Sequence, residues 1–149
     1  MPATMLTPHF TLEEFIVSQT AARLGLDNTP TDHERNNIQR TAETMEEVRA
    51  ILGNHPVLIS SGYRSPPVNA ACGGSSTSAH MSGLAVDFTV PGFGSPLDIC
   101  RALAPHMADL GIDQMIHEFE GWVHLGLSSG PPRQMALTIN NSGTQTGFA

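Results

Sequence analysis

Apolar positions recur along the chain first at helical spacing and then at strand-like spacing, which separates a helical start from a strand-rich remainder. Thr11-Leu12-Glu13-Glu14 has the form of a capping box, and Phe15, Ile16, Ala21, Ala22 and Leu24 supply the apolar side of one short helix ending near Gly25. After the turn Asp27-Asn28-Thr29-Pro30, the box recurs at Thr31-Asp32-His33-Glu34. Ile38, Thr41, Met45, Val48, Ile51 and Leu52 follow at three- and four-residue spacing, predicting a long second helix up to Gly53. Val57-Leu58-Ile59-Ser60 has strand length and β-branched character. It runs into Gly62-Tyr63-Arg64-Ser65-Pro66-Pro67, which cannot continue it, so a strand delivers Arg64 to a loop. From Val68 to Gly83 the chain is rich in Gly, Ser, Ala and Thr and reads as a long surface loop with His80 near its end.

Leu84 to Val90 has the pattern of a buried strand, stopped by Pro91-Gly92. Ser95-Pro96-Leu97-Asp98 then opens a third helix with Ile99, Leu103 and Met107 on its inner face. Met115-Ile116 and Trp122-Val123-His124-Leu125 predict two short strands joined around Glu120-Gly121. Met135 to Ile139 is expected to add an edge strand, and the polar end from Asn140 to Ala149 to fray. The order implies an α+β fold, N-terminal helices packed on a small, mostly antiparallel sheet, with one domain over 1–139 and a polar tail over 140–149.

Composition narrows the function classes. Seven Lys plus Arg against fourteen Asp plus Glu give a net charge of -7, and without a basic stretch the surface that tracks phosphates is missing, so no nucleic-acid partner is expected. No apolar run approaches a membrane span, so no membrane partner is expected either. The first residues have neither a positive n-region nor an apolar h-region, and the expectation is synthesis in a cytoplasm without a Sec signal. Cys72 and Cys100 stand apart from any C-x-x-C pair, and two free thiols are favoured over one disulfide.

The candidate chemistry lies in His80, Asp87 and His124. Two imidazoles and a carboxylate suit a catalytic zinc ion, which takes three protein ligands and leaves a fourth position for water. Strand alternation sends Ala85 and Asp87 to one face and Leu84, Val86 and Phe88 to the other. Asp87 then becomes an acid lodged in an apolar strand, a placement that asks for a cation. His124 likewise shares a face with Trp122 and Gly126. A lone strand histidine is more often a hydrogen-bonded structural residue, so spacing by itself leaves the trio open.

Ser61-Gly62-Tyr63-Arg64-Ser65, Asn69, Gly73-Gly74, Ser78-x-His80-x-x-Gly83-x-Ala85-x-Asp87 and Trp122-x-His124, in this order, resemble the zinc D-Ala-D-Ala carboxypeptidase and L-alanyl-D-glutamate peptidase family. That family includes wall carboxypeptidases, vancomycin-resistance dipeptidases and phage endolysins, and the resemblance runs from about Phe10 to about Leu127. It implies one zinc ion held by His80, Asp87 and His124. It further implies Arg64 as the positive group that grips substrate or steadies the oxyanion, Ser78 as a weaker substrate contact and Trp122 as a wall of the site. The general base is open, because the acid that many members carry three residues before the last histidine is Gly121 here. Glu118 and Glu120 are the candidates, and Ile116-His117-Glu118-Phe119 resembles one branch of the family and favours Glu118. His117 is expected to be a surface histidine on the opposite strand face, and His9, His33, His55 and His106 to be exposed or capping residues. The implied function is a monomeric, endolysin-like peptidase acting on peptidoglycan at the cell wall or periplasm. A D,D-carboxypeptidase and a non-catalytic wall-binding virion protein are the alternatives.

Overall fold

A computed structural model describes residues 4–149. Strands β1 (Met5–Thr7) and β2 (Phe10–Thr11) form a small ribbon, followed by α1 (Leu12–Ile16), α2 (Gln19–Leu24) and the long α3 (Asp32–Ile51). Next come β3 (Leu58–Ser61), α4 (Pro66–Ala71), a 3-10 turn at Ala79–Ser82 and β4 (Ala85–Thr89). After α5 (Pro96–Leu103) and α6 (Met107–Leu110), the chain adds β5 (Gln114–Glu118), β6 (Trp122–Gly126), β7 (Met135–Asn140) and β8 (Gly143–Thr146). The main sheet is mixed, in the order β3-β4-β6-β5-β7-β8; only β5 and β7 run parallel. The fold is thus α+β, as the element order predicts. None of its described helices is long and apolar enough to cross a membrane.

The sheet has two unlike faces. Ile38, Met45 and Val48 of α3 and Ile99 and Leu103 of α5 pack against Val86, Phe88, Met115, Val123 and Leu125 in one continuous core. Burying each of these side chains stabilises the fold by about 1.5–3 kcal/mol. The period of two along β4, β5 and β6 sends Asp87, Ile116, Glu118, Trp122 and His124 to the opposite face, where a cleft opens.

Several elements differ from the sequence expectation. The first helix is two helices, because Val17 leaves helical geometry and Ser18 caps a new start by accepting from the Ala21 N–H. The expected loop from Val68 begins as α4; Pro66 and Pro67 end the strand but also open a helix, since proline is tolerated in a first turn whose N–H groups need no intrahelical partner. β7 is not an edge strand. The stretch expected to fray supplies β8, which pairs with β7 from Leu137↔Thr146 to Asn140↔Gly143. Met107 reaches the core from α6, after a 3-10 turn at Ala104–His106, rather than from α5 itself.

Helix α3 also holds the turn that carries His80. Asn37 donates to the Ser82 carbonyl (2.9 Å) and Thr41 to the Gly83 carbonyl (2.7 Å). Gly83 adopts φ +80°, and a Cβ there would come within 2.8 Å of the Glu34 carbonyl and 2.9 Å of Ile38. Gly83→Ala is therefore expected to destabilise the protein by roughly 2 kcal/mol or more, measured as a lower urea midpoint at unchanged slope.

Candidate metal centre and cleft

His80, Asp87 and His124 meet although they arise from three elements. His80 lies in the 3-10 turn, while Asp87 and His124 are directly opposite one another on the antiparallel pair β4/β6. Their ligating atoms all fall within 4.8 Å of one another, and all three residues are buried. His124 Nδ1 is 2.9 Å from Asp87 Oδ1, and His80 Nε2 is 3.3 Å from the same oxygen without hydrogen-bond alignment. The His80 tautomer follows from its other nitrogen. Nδ1 lies 2.6 Å from the Gly62 carbonyl, which can only accept, so Nδ1 carries the proton and Nε2 turns a lone pair into the cluster. That buried Nε2 has no hydrogen-bond partner.

An orphaned imidazole nitrogen beside a carboxylate and a second imidazole fits a divalent cation. Ligand atoms about 2.0–2.1 Å from a tetrahedral zinc stand about 3.3 Å from each other, and the separations of 2.9 and 3.3 Å from Asp87 Oδ1 are close to that. Burial opposes ionisation of Asp87, but its hydrogen bond with His124 and the imidazole of His80 beside it outweigh this and hold the carboxyl well below the usual carboxylate range. A ligand kept anionic in a buried site is what a cation requires.

Arg64 stands beside the trio. Its Nη2 is 3.8 Å from Asp87 Oδ2, Nη1 donates to Asn69 Oδ1 (3.3 Å) and Nε to Ser61 Oγ (3.3 Å). Its backbone N–H also donates to the His80 carbonyl (3.0 Å), tying the arginine loop to the turn that carries His80. Asn69 in turn donates to the Ser75 carbonyl at 2.9 Å, so this residue, given no role by sequence reasoning, orients the guanidinium. Gly74 fits closely over the pair; a Cβ there would collide with Asn69 Oδ1 and come within 2.9 Å of Arg64 Nη1. Gly74→Ala is accordingly expected to lower kcat/KM about tenfold while leaving metal affinity within about twofold, checked by kinetics and chelator competition on the same preparation.

The cleft has a volume of about 700 Å3. Ser78 lines it and its hydroxyl accepts from the His80 N–H (3.2 Å); Trp122 lines it from β6. Glu118 faces into it half-buried, whereas Glu120 lies outside, exposed in the turn between β5 and β6 with φ 57°. Burial pushes the Glu118 carboxyl above its ordinary value; His124 and Arg64 pull it back, and Asp87 adds to the rise. Gly121 sits in the same turn, with nothing nearer than 3.8 Å to a Cβ position. Sequence reasoning missed Gln114 and the Asp113–Arg133 pair at the other end of the cleft, where Arg133 Nη2 meets Asp113 Oδ2 at 2.8 Å. Their signal is faint, one polar residue at the head of a strand and one arginine in a Gly-Pro-Pro loop.

A family model described as Peptidase M15 matches residues 8–126, most of the chain. The chain belongs to the peptidase M15 family. This is the zinc D-Ala-D-Ala carboxypeptidase-like family that the motifs resemble, so the cleft is that of an M15 metallopeptidase. No curated protein sequence matches the chain. The matched span contains the whole trio, Arg64 and Glu118.

The remaining histidines are elsewhere. His117 is on the face of β5 opposite the cleft, as alternation requires, but it is buried rather than on the surface, with Nδ1 3.0 Å from the Ala149 carbonyl oxygen. The folded-back segment after β8 covers it. His9 pairs with Glu46 (2.8 Å), and His33 and His55 are exposed. Cys72 is an exposed free thiol and Cys100 a buried one.

Proposed function

We propose that this M15 metallopeptidase is a zinc-dependent peptidoglycan peptidase that hydrolyses stem-peptide bonds involving D-amino acids, in the manner of phage endolysins. The observation that carries the reading is a half-buried carboxylate, Glu118, facing the same cleft as the His-Asp-His cluster. His80 Nε2, an Asp87 oxygen and His124 Nδ1 would hold the metal. A bound zinc ion supplies a Lewis acid that polarises the scissile carbonyl and makes water acidic enough to attack at neutral pH.

The chain's own groups complete the reaction. Glu118 takes a proton from the attacking water as its oxygen bonds to the carbonyl carbon, then gives that proton to the amine nitrogen as the C–N bond breaks. Its burial raises its proton affinity toward the operating range, which suits both halves of the task. Arg64, pre-oriented by Asn69 and Ser61, offers a positive group where charge develops on the carbonyl oxygen. Trp122 walls the substrate, and Ser78 contacts its backbone.

Digestion of purified sacculi followed by mass spectrometry of the new termini tests the reading. Opened stem peptides are expected. Released D-Ala with intact cross-links would instead identify a D,D-carboxypeptidase, and sacculi bound but left whole by the zinc-loaded protein would identify a wall-binding module. The protein is proposed to work at the wall as a monomer.

A further inference from the structure

Among the described residues, four non-glycine positions have positive φ, and three of them stand at the two ends of the cleft. Gln134 (φ 54°) follows Arg133 at one end; Phe119 (φ 50°) and Glu120 (φ 57°) follow Glu118 at the other. The Gly121 N–H donates to the Glu118 carbonyl (2.9 Å), closing a tight turn whose two central residues are both left-handed. Asn and Gly favour such places, and a bulky aromatic residue does not. Phe119 is also 48% exposed. A large ring that strains the backbone and remains in water contributes little to folding, and strain of this kind concentrates where side chains meet ligands.

The ring has a neighbour and a setting. Its centroid lies 5.9 Å from that of Trp122, with the planes tilted by 39°, so it extends the aromatic wall of the cleft outward. A smaller cavity of about 250 Å3 is lined by Phe119, Glu120, Asn140, Asn141 and Ser142, of which Phe119 and Asn140 directly follow the cleft-lining Glu118 and Ile139 in the chain. Asn140 Oδ1 accepts from the Ser142 N–H (2.8 Å), which leaves its amide NH2 for a ligand. An apolar ring bordered by amides, a hydroxyl and one carboxylate suits a pyranose, with apolar C–H faces and an edge of hydroxyl and N-acetyl groups. A purely apolar side chain would leave those polar groups unpaired, and an anion would meet Glu120.

We propose that Phe119 is a specificity-determining residue: with Trp122 it forms a platform for an amino-sugar ring of the glycan strand, so that glycan-bearing stem peptides are preferred to free ones. The inference rests on the peptidoglycan-peptidase reading and deepens it. Substrate lying along β5 would place its reacting bond beside Glu118 and its sugar beyond Trp122.

The test compares a disaccharide-bearing stem peptide with the same peptide lacking sugar, using the zinc-loaded protein. Wild type is expected to show a roughly fivefold lower KM for the sugar-bearing peptide, with similar kcat. Phe119→Asn, which tolerates the left-handed backbone, should bring the ratio of the two KM values, measured within the variant, to about one, and should melt roughly 3 °C higher as the strain is relieved. Phe119→Trp should keep the preference. Trp122 is the one tryptophan of the chain, so the free disaccharide should change its fluorescence in wild type and not in Phe119→Asn, a readout independent of turnover. Equal KM for the two peptides, a preference that survives in Phe119→Asn, or a disaccharide without effect on wild-type fluorescence would overturn the platform. A wild type that cleaves neither peptide yet responds to the disaccharide would overturn the peptidase reading and uphold the platform.

Discussion

Asp87→Asn is expected to cost at least about a hundredfold in metal affinity and to abolish measurable peptide hydrolysis. The residue stands 2.9 Å from His124 Nδ1, 3.3 Å from His80 Nε2 and 3.8 Å from Arg64 Nη2, so three side chains turn on one carboxylate. Asparagine keeps the volume but presents no charge to balance a divalent cation. Chelator competition monitored by elemental analysis measures the affinity, and circular dichroism shows whether the fold survives. A variant that retains zinc as wild type does would remove Asp87 from the ligand set. Without metal, the same carboxylate links stability to acid. Its folded-state pKa lies below the unfolded value of 3.8, so its contribution is present above that pH and is lost as pH falls toward the depressed value.

Glu118→Gln is expected to lower kcat by about 10²- to 10⁴-fold while zinc is retained, because the amide keeps the shape of the cleft wall but transfers no proton. Glu120→Gln should leave kcat within about twofold, since that side chain lies outside the cleft. Equal losses in the two variants, or none in Glu118→Gln, would take Glu118 out of the proton-transfer role. Stability should move the other way. Burial raises the Glu118 pKa above 4.5, so in the metal-free protein the folded state pays increasingly for ionisation as pH rises through that shifted range. Glu118→Gln has no such penalty and is expected to be more stable than wild type near pH 7 and not near pH 4, as urea titrations of the metal-free proteins would show. A bound cation would pull the carboxyl back down and shrink the difference.

The clustering of His80, Asp87 and His124 was legible because alternation and motif agreed. Asp87 interrupts an apolar strand, and the polar face it implies is the face that His124 shares. The choice between Glu118 and Glu120 was not legible from alternation, which puts residues two apart on the same side. The turn at Phe119 and Glu120 ends the alternation, leaving only Glu118 within the strand. Long α3 was readable from its cap and spacing, but α4 was hidden by prolines that stop one element and start another. β8 was hidden for a different reason. Gly143-Thr144-Gln145-Thr146 is exposed along its length, so it has no buried face to imprint a pattern, and it is held by its ladder to β7. The burial of His117 depends on that same segment, whose continuation supplies the Ala149 carbonyl.

In the main sheet β5/β6 and β7/β8 are hairpins, but Asp87 and His124 pair across 37 residues, and β5 takes β7 as its other neighbour only after the chain has completed β6. The β4/β6 ladder that sets Asp87 opposite His124 is therefore complete only when β6 has been made, and the β5/β7 ladder beside Glu118 only when β7 has been made. A nascent chain that has exposed α3, β3 and β4 holds His80 and Asp87 but lacks His124 and Glu118. Loop closure precedes reward in such a topology, which slows folding. During synthesis a chain that stops short of β6 therefore has no complete His80–Asp87–His124 cluster, which forms only as the sheet closes.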